Sequence, residues 1–201
     1  MLASKQLVSR VVPSAIAFLA VACGGAPDEG QAPTDEVGSS VQDLKSPPLP
    51  SPTLAVPSGN RLAFFYDGVG VQIYQCQATA TGYGWVFEAP EATLYDQHGR
   101  VEGKHYAGPT WESKDGSTVV GSKLAAFTAD PTSVPELLLQ GVSHTGHGKM
   151  SDVTYIQRLD TVGGIAPSTG CDATTVDAEA RVDYTATYYF YTAACSGHEH
   201  D

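Results

Sequence analysis

The sequence predicts an all-β single domain, either a β-sandwich or a closed β-barrel of about eight or nine strands, with little helix. Three observations carry that expectation. Of 201 residues, 21 are glycine and 13 are proline, a density of chain breakers that suits short strands and tight turns better than long helices. Between those breakers apolar and polar residues alternate, which is the period of a strand. No segment holds a 3.6-residue apolar stripe over three turns, and the best helical candidate is a single turn around Pro135–Leu139. Charge bounds the partners. Eleven basic residues against 22 acidic ones give a net charge of −11, which argues against nucleic acid, because phosphate neutralisation needs a basic surface.

The elements follow in order. Leu62–Tyr66 reads as a strand, Asp67-Gly68 as a turn, and Gly70–Ala78 as a second strand with Val71, Ile73 and Gln75 on one face and Gln72, Tyr74 and Cys76 on the other. Thr81–Gly84 turns into a strand at Trp85–Phe87, and Ala92–Tyr95 forms another beyond Pro90. Asp96–Gly99 and Lys114–Ser117 are turns, the second built on Asp115-Gly116, a strong hairpin signal. Strands at Thr118–Thr128, Leu137–Val142, Val153–Leu159 and Arg181–Tyr191 complete the set. Aromatic residues on both faces of the last make it a central strand. There is no internal repeat.

Before this body, residues 1–22 read as a signal peptide. Lys5 and Arg10 precede an apolar run from Val11 to Ala22, and twelve residues at about 1.5 Å each are too short to cross a hydrocarbon core of about 30 Å. The run ends in Leu19-Ala-Val-Ala-Cys23-Gly24, which resembles a bacterial lipoprotein signal with Cys23 as the lipidated residue. Because Gly24 is not an aspartate, such a signal implies the outer membrane. Residues 23–53 then form a lipidated cysteine and a proline-rich tether ending Pro47-Pro-Leu-Pro-Ser-Pro52, a composition that cannot bury a core. Residues 54–192 are the β-domain and 193–201 a polar tail. Loss of Lys5 and Arg10 with the signal leaves nine bases against 22 acids, a charge of −13. An acidic body is repelled by anionic lipid, so the membrane is met through the lipid anchor alone.

With Cys23 assigned to lipid, Cys76, Cys171 and Cys195 remain. An oxidising compartment predicts one disulfide among three possible pairings. Cys76 lies on a strand, Cys171 in the Ser168–Cys171 loop and Cys195 in the tail, so Cys76–Cys171 is the expected pair.

Five stretches together resemble one family: Gly70-Val-Gln-Ile-Tyr-Gln-Cys76, Trp85-Val-Phe-Glu-Ala-Pro-Glu-Ala-Thr-Leu94, His105-Tyr-Ala-Gly-Pro-Thr-Trp-Glu-Ser-Lys-Asp-Gly-Ser117, Tyr155-Ile-Gln-Arg-Leu-Asp-Thr-Val-Gly-Gly164 and Tyr184-Thr-Ala-Thr-Tyr-Tyr-Phe-Tyr191. They look like the domain of unknown function 3455 across roughly Leu54–Tyr191. One departure is Glu136, where the family pattern has a tryptophan before the leucine run. The resemblance says little about activity, and no cofactor is expected. A dinucleotide site has no support either, since Gly68-Val-Gly70 and Gly82-Tyr-Gly84 lack the third glycine and the following helix.

The candidate ligand site is His105, Trp111, Glu112 and Asp115 around Gly108-Pro109, joined by Gln157 and Arg158. As a loop, this cluster could stack Trp111 on a sugar or other polar ligand while Glu112 and Asp115 accept its hydroxyl hydrogens. An inward Arg158 would need a partner, and Glu112 or Asp115 would supply it. Three functions follow. The first is a lipid-anchored binding or envelope-structural module. The second is a small enzyme acting on envelope or environmental polymers, with Glu112 or Asp115 as general acid or base and His105 assisting. The third and weakest is a metal-binding protein using His105, His144 and His147, although no third ligand is fixed beside the His144/His147 pair, so no metal site is assigned. The terminal His198-Glu-His200 has the same weakness. No serine sits in a Gly-x-Ser-x-Gly elbow, so acyl transfer has no support.

Overall fold

Strand β1 runs unbroken for 20 residues, Asn60–Thr79, through the Asp67-Gly68 pair expected to turn. The reason is what faces those glycines. A Cβ on Gly68 would lie 2.6 Å from the Tyr188 ring, and one on Gly70 would lie 2.1 Å from the Glu91 carbonyl oxygen. Neither glycine has a positive φ. They let the strand coil against its neighbours, a use of glycine inside strands that resembles a turn in the sequence.

The computed structural model describes residues 44–194. Seven further strands follow: β2 (Gly82–Tyr95), β3 (Val101–Tyr106), β4 (Thr110–Ser113), β5 (Thr118–Phe127), β6 (Glu136–Thr145), β7 (Val153–Gly163) and β8 (Glu179–Ala193). Each pairs antiparallel with the next and β8 closes on β1, so the sheet is a closed eight-stranded barrel. This is the barrel alternative of the two expected. The only helix among the described residues is the 3-10 turn Pro52–Leu54. The Pro135–Leu139 helical turn does not form, because Leu137, Leu138 and Leu139 pair with Arg158, Gln157 and Ile156 of β7. Pro90 sits inside β2 without harm. β3 pairs only with Ala92–Tyr95, so Pro90 lies where that edge has no second neighbour to accept an N–H.

Alternation sorts the side chains. Tyr66, Leu94, Trp111, Val119, Leu139, Ile156, Tyr188 and Phe190 fill the barrel, all at most 2% exposed. Each contributes about 1.5–3 kcal/mol on burial. Outside, Leu54 is clamped on Leu138 and Leu159, with Phe127, Tyr155 and Tyr189 around it. An eight-stranded barrel is just wide enough to be filled by side chains or to hold one small ligand.

The β1–β2 ribbon extends past the barrel and is stapled to the β7–β8 connection. Cys76 bonds Cys171 across 95 residues of sequence, as expected. The Cys76 amide donates to the Ala178 carbonyl and the Asp177 amide to the Cys76 carbonyl, both at 2.9 Å. The Tyr74 hydroxyl reaches the Gly164 carbonyl at 2.6 Å. Cys23, the signal, residues 23–43 of the tether, Cys195 and the rest of the tail lie outside the described residues.

Candidate functional site

The segment expected as a loop is a β-hairpin. β3 and β4 are joined by Ala107–Pro109, with the Thr110 hydroxyl donating to the Ala107 carbonyl at 3.0 Å. Register sets His105 opposite Trp111, and both side chains enter the barrel, where their rings stack at 4.3 Å. His105 Nδ1 lies 2.8 Å from the Thr110 carbonyl. A carbonyl only accepts, so Nδ1 carries the hydrogen and Nε2 the lone pair. Burial holds the His105 pKa down to about 3, and the Arg158 charge pushes the same way. The imidazole is therefore neutral.

Arg158 joins these two rings. It pairs in register with Leu137 on one side and Tyr188 on the other. Its guanidinium donates from Nη2 and Nε to one acceptor, the Pro135 carbonyl, at 2.6 and 3.2 Å. No ion pair to it exists among the described residues. Gln72, Trp111, Lys123, Leu137, Leu139 and Arg158 line a partly open cavity of about 180 Å³ at this end of the barrel. Two of them carry buried N–H groups without a partner, Gln72 Nε2 and Trp111 Nε1. Gln72 is 2% exposed and Trp111 1%. Buried donors left unpaired cost about 1–3 kcal/mol each, so their coincidence around one cavity needs a reason.

A family model described as "Protein of unknown function (DUF3455)" matches residues 57–192. The chain belongs to that family. No curated protein and no solved structure matches it.

Within this DUF3455 domain the other expected site residues go elsewhere. Glu112, next to Trp111, points out of the barrel, where it accepts from Tyr106 at 2.9 Å and pairs with Lys104 at 3.3 Å. Asp115 lies in the β4–β5 turn at the far end of the barrel. It accepts from the Ser117 amide and hydroxyl at 2.9 and 2.6 Å and from the Lys149 amide at 2.9 Å. The Ser117 hydroxyl bond is the largest of the interactions that hold its pKa down to about 2. Gln157 faces outward under the 3-10 turn, donating to the Leu54 carbonyl and accepting from Tyr191, each at 2.7 Å. The sugar-gripping loop and the Glu112–His105 acid/base pair are thus not assembled, and neither carboxylate is the partner of Arg158. The cause is strand alternation: residues 111 and 112, like 157 and 158, must face opposite ways.

The histidine reading fares no better. His144 Nε2 is taken up at 2.8 Å by the Val153 carbonyl. Among the described residues no group of three or more His, Cys, Asp or Glu could hold a metal ion. A larger open groove of about 960 Å³ beside Arg61, His144 and Lys149 exists at the far end. Lys149 there is paired to Tyr66 and Glu102, and Asn60 to Thr154.

Gln72, Lys123, Leu137, Leu139 and Tyr188 are cavity residues that the sequence did not single out. Gln72 carried a signal: it stands on the same strand face as Tyr74 and Cys76, a buried face where an amide is out of place.

Proposed function

We propose that this domain is the binding module of an envelope-tethered lipoprotein, and that it holds one small molecule in the cavity at the disulfide-stapled end of its barrel. The observation that carries the reading is the pair of buried, unpartnered donors, Gln72 Nε2 and Trp111 Nε1, on a partly open cavity beside Arg158. A ligand site is concave, mostly apolar and set with a few convergent polar groups, and the lining of Trp111, Leu137 and Leu139 with these donors has that character. The size is suitable as well, since an apolar cavity of about 150 Å³ takes up benzene and this one measures about 180 Å³. Tethering is the part read from sequence: the small residues before Cys23 and the proline-rich stretch that follows would leave the barrel attached to, yet clear of, the outer membrane.

The protein has two tryptophans. Trp85 lies outside the barrel, its indole N–H on the Thr169 carbonyl at 2.9 Å, so Trp85→Phe leaves Trp111 as the sole reporter. Titrating that variant with benzyl alcohol, benzoate and benzylamine should give a saturable change in Trp111 emission with at least one of the three. No saturable change with any would overturn the binding reading. Intact-mass analysis of the protein from a bacterial envelope tests the tether: the expected species begins at a diacylated or triacylated Cys23, and an unmodified cysteine there refutes it.

A further inference from the structure

We propose that the ligand is a small organic anion, a monocarboxylate on an apolar or aromatic body of about one ring. The inference rests on the binding reading above and adds the charge and shape of what binds. Arg158, Gln72 Nε2 and Trp111 Nε1 all donate, and Lys123 adds a second cation to the lining. The one acceptor on this wall whose hydrogen is assigned by geometry is His105 Nε2, bare because Nδ1 is committed to Thr110. A cation would meet the charge of Arg158, which makes no ion pair, and a neutral hydrocarbon ring would leave the Gln72 and Trp111 donors without an acceptor.

The guanidinium's present partner decides between a structural arginine and a recognising one. Arg158 is half-buried and spends Nη2 and Nε on the Pro135 carbonyl. An arginine kept for stability inside a barrel is expected to meet a carboxylate, because an unpaired buried charge costs more than an apolar side chain would. Glu136, a carboxylate that feels the Arg158 charge, accepts from the Asp160 amide at 3.1 Å through one oxygen, leaves its other oxygen buried without a partner, and makes no ion pair with Arg158. Five N–H donors cannot be satisfied by one carbonyl. A carboxylate is the planar group whose two oxygens fit such a fork. Trp111, Leu137 and Leu139 then leave room for a compact apolar body, and a cavity volume of about 180 Å³ accommodates roughly one ring. The polar–apolar balance disfavours a phosphate dianion, which would bring two charges into a space lined mainly by hydrocarbon.

The titration above, run with its charge series in the Trp85→Phe background, separates the outcomes. Benzoate should bind at least about tenfold tighter than benzyl alcohol or benzylamine, and phenyl phosphate should bind more weakly than benzoate. Arg158→Gln should weaken benzoate about ten- to a hundredfold while leaving benzyl alcohol within about threefold. Arg158→Lys, which keeps the charge and loses the fork, should fall between. A melting curve for each variant establishes that it is folded. Equal binding of benzoate and benzyl alcohol, or benzoate affinity that ignores Arg158, overturns the anion inference and leaves the binding reading standing. Preference for phenyl phosphate overturns the carboxylate assignment. Silence of all four compounds overturns both.

Discussion

Gln72 stands six positions after Tyr66 on β1, and over that distance the barrel changes its treatment of polar groups. Around Tyr66, Glu102 is 3% exposed and fully engaged: it pairs with Lys114 and, at 3.4 Å, with Lys149, which donates to the Tyr66 hydroxyl at 2.8 Å. Its pKa is lowered, chiefly by the Lys114 bond. The Gly146–Asp152 segment lies across this end, with the Met150 amide donating to the Ser117 hydroxyl at 3.0 Å and the Met150 side chain fully buried. Around Gln72 two buried N–H donors lack an acceptor, and Arg158 donates to the Pro135 carbonyl without an ion pair. Both ends are built by the same sheet. At one end the charged groups pair with one another and Ser113 Oγ alone lacks a partner, whereas the other end holds two unpaired N–H donors on a cavity beside an arginine that makes no ion pair. That difference is the strongest functional statement in the molecule, because a stability-only design would pair both.

The largest effect should come from the staple. Cys76→Ala with Cys171→Ala opens a 95-residue loop, which the chain-entropy account values at about 4–5 kcal/mol. If the two ends are as different as described, the loss is also local before it is global. Amide exchange should accelerate first in residues 72–90 and 164–180, at the cavity end, while the Glu102 and Met150 amides keep their protection until the whole barrel opens. Uniform acceleration at both ends would show that the barrel opens as one unit.

Acid provides the next largest test. His105 is neutral in the folded barrel with a pKa of about 3, whereas in the unfolded chain it titrates near 6.5. Between those values the unfolded state binds a proton that the native state refuses, so stability falls as pH drops from 6.5 toward 3, by up to about 1.4 kcal/mol per pH unit. His105→Gln removes that slope while keeping a donor for Thr110. Urea denaturation at pH 7, 5.5 and 4 should therefore show wild type losing stability faster than the variant, and parallel curves would mean that the imidazole is not held neutral.

These features were unequally legible in the sequence. The all-β class, the strand positions and the Cys76–Cys171 bond could be read because alternation, breakers and cysteine placement are local signals. Barrel closure could not, since the β1–β8 pairing joins residues more than a hundred positions apart. The site was half legible for one reason. Proximity in sequence grouped His105, Trp111, Glu112 and Asp115, and Gln157 with Arg158, but a strand sends neighbours to opposite faces. Treating 105–115 as a loop suspended that rule. Read as a hairpin, the same residues separate into His105 and Trp111 inside, Glu112 outside and Asp115 at the turn.

The smallest effect sharpens the closed end. Asp115 is exposed, yet its carboxylate ties the β4–β5 turn to the Lys149 amide. Gly116, at φ +84°, lets the turn bend behind it. With the native pKa at about 2 against about 3.9 unfolded, the ionised carboxylate stabilises the fold above pH 4, and that contribution disappears as pH falls through 2. Asp115→Ala should cost about 1 kcal/mol at pH 7 and progressively less as pH falls from 4 through 2, the opposite of the His105 variant, whose advantage over wild type grows as acid is added. Exchange at Lys149 and Met150 should rise in the Asp115 variant with no change at Trp111. Loosening at Trp111 would mean that the strap and the cavity communicate through the barrel, and the paired end would then bear on ligand binding at the other.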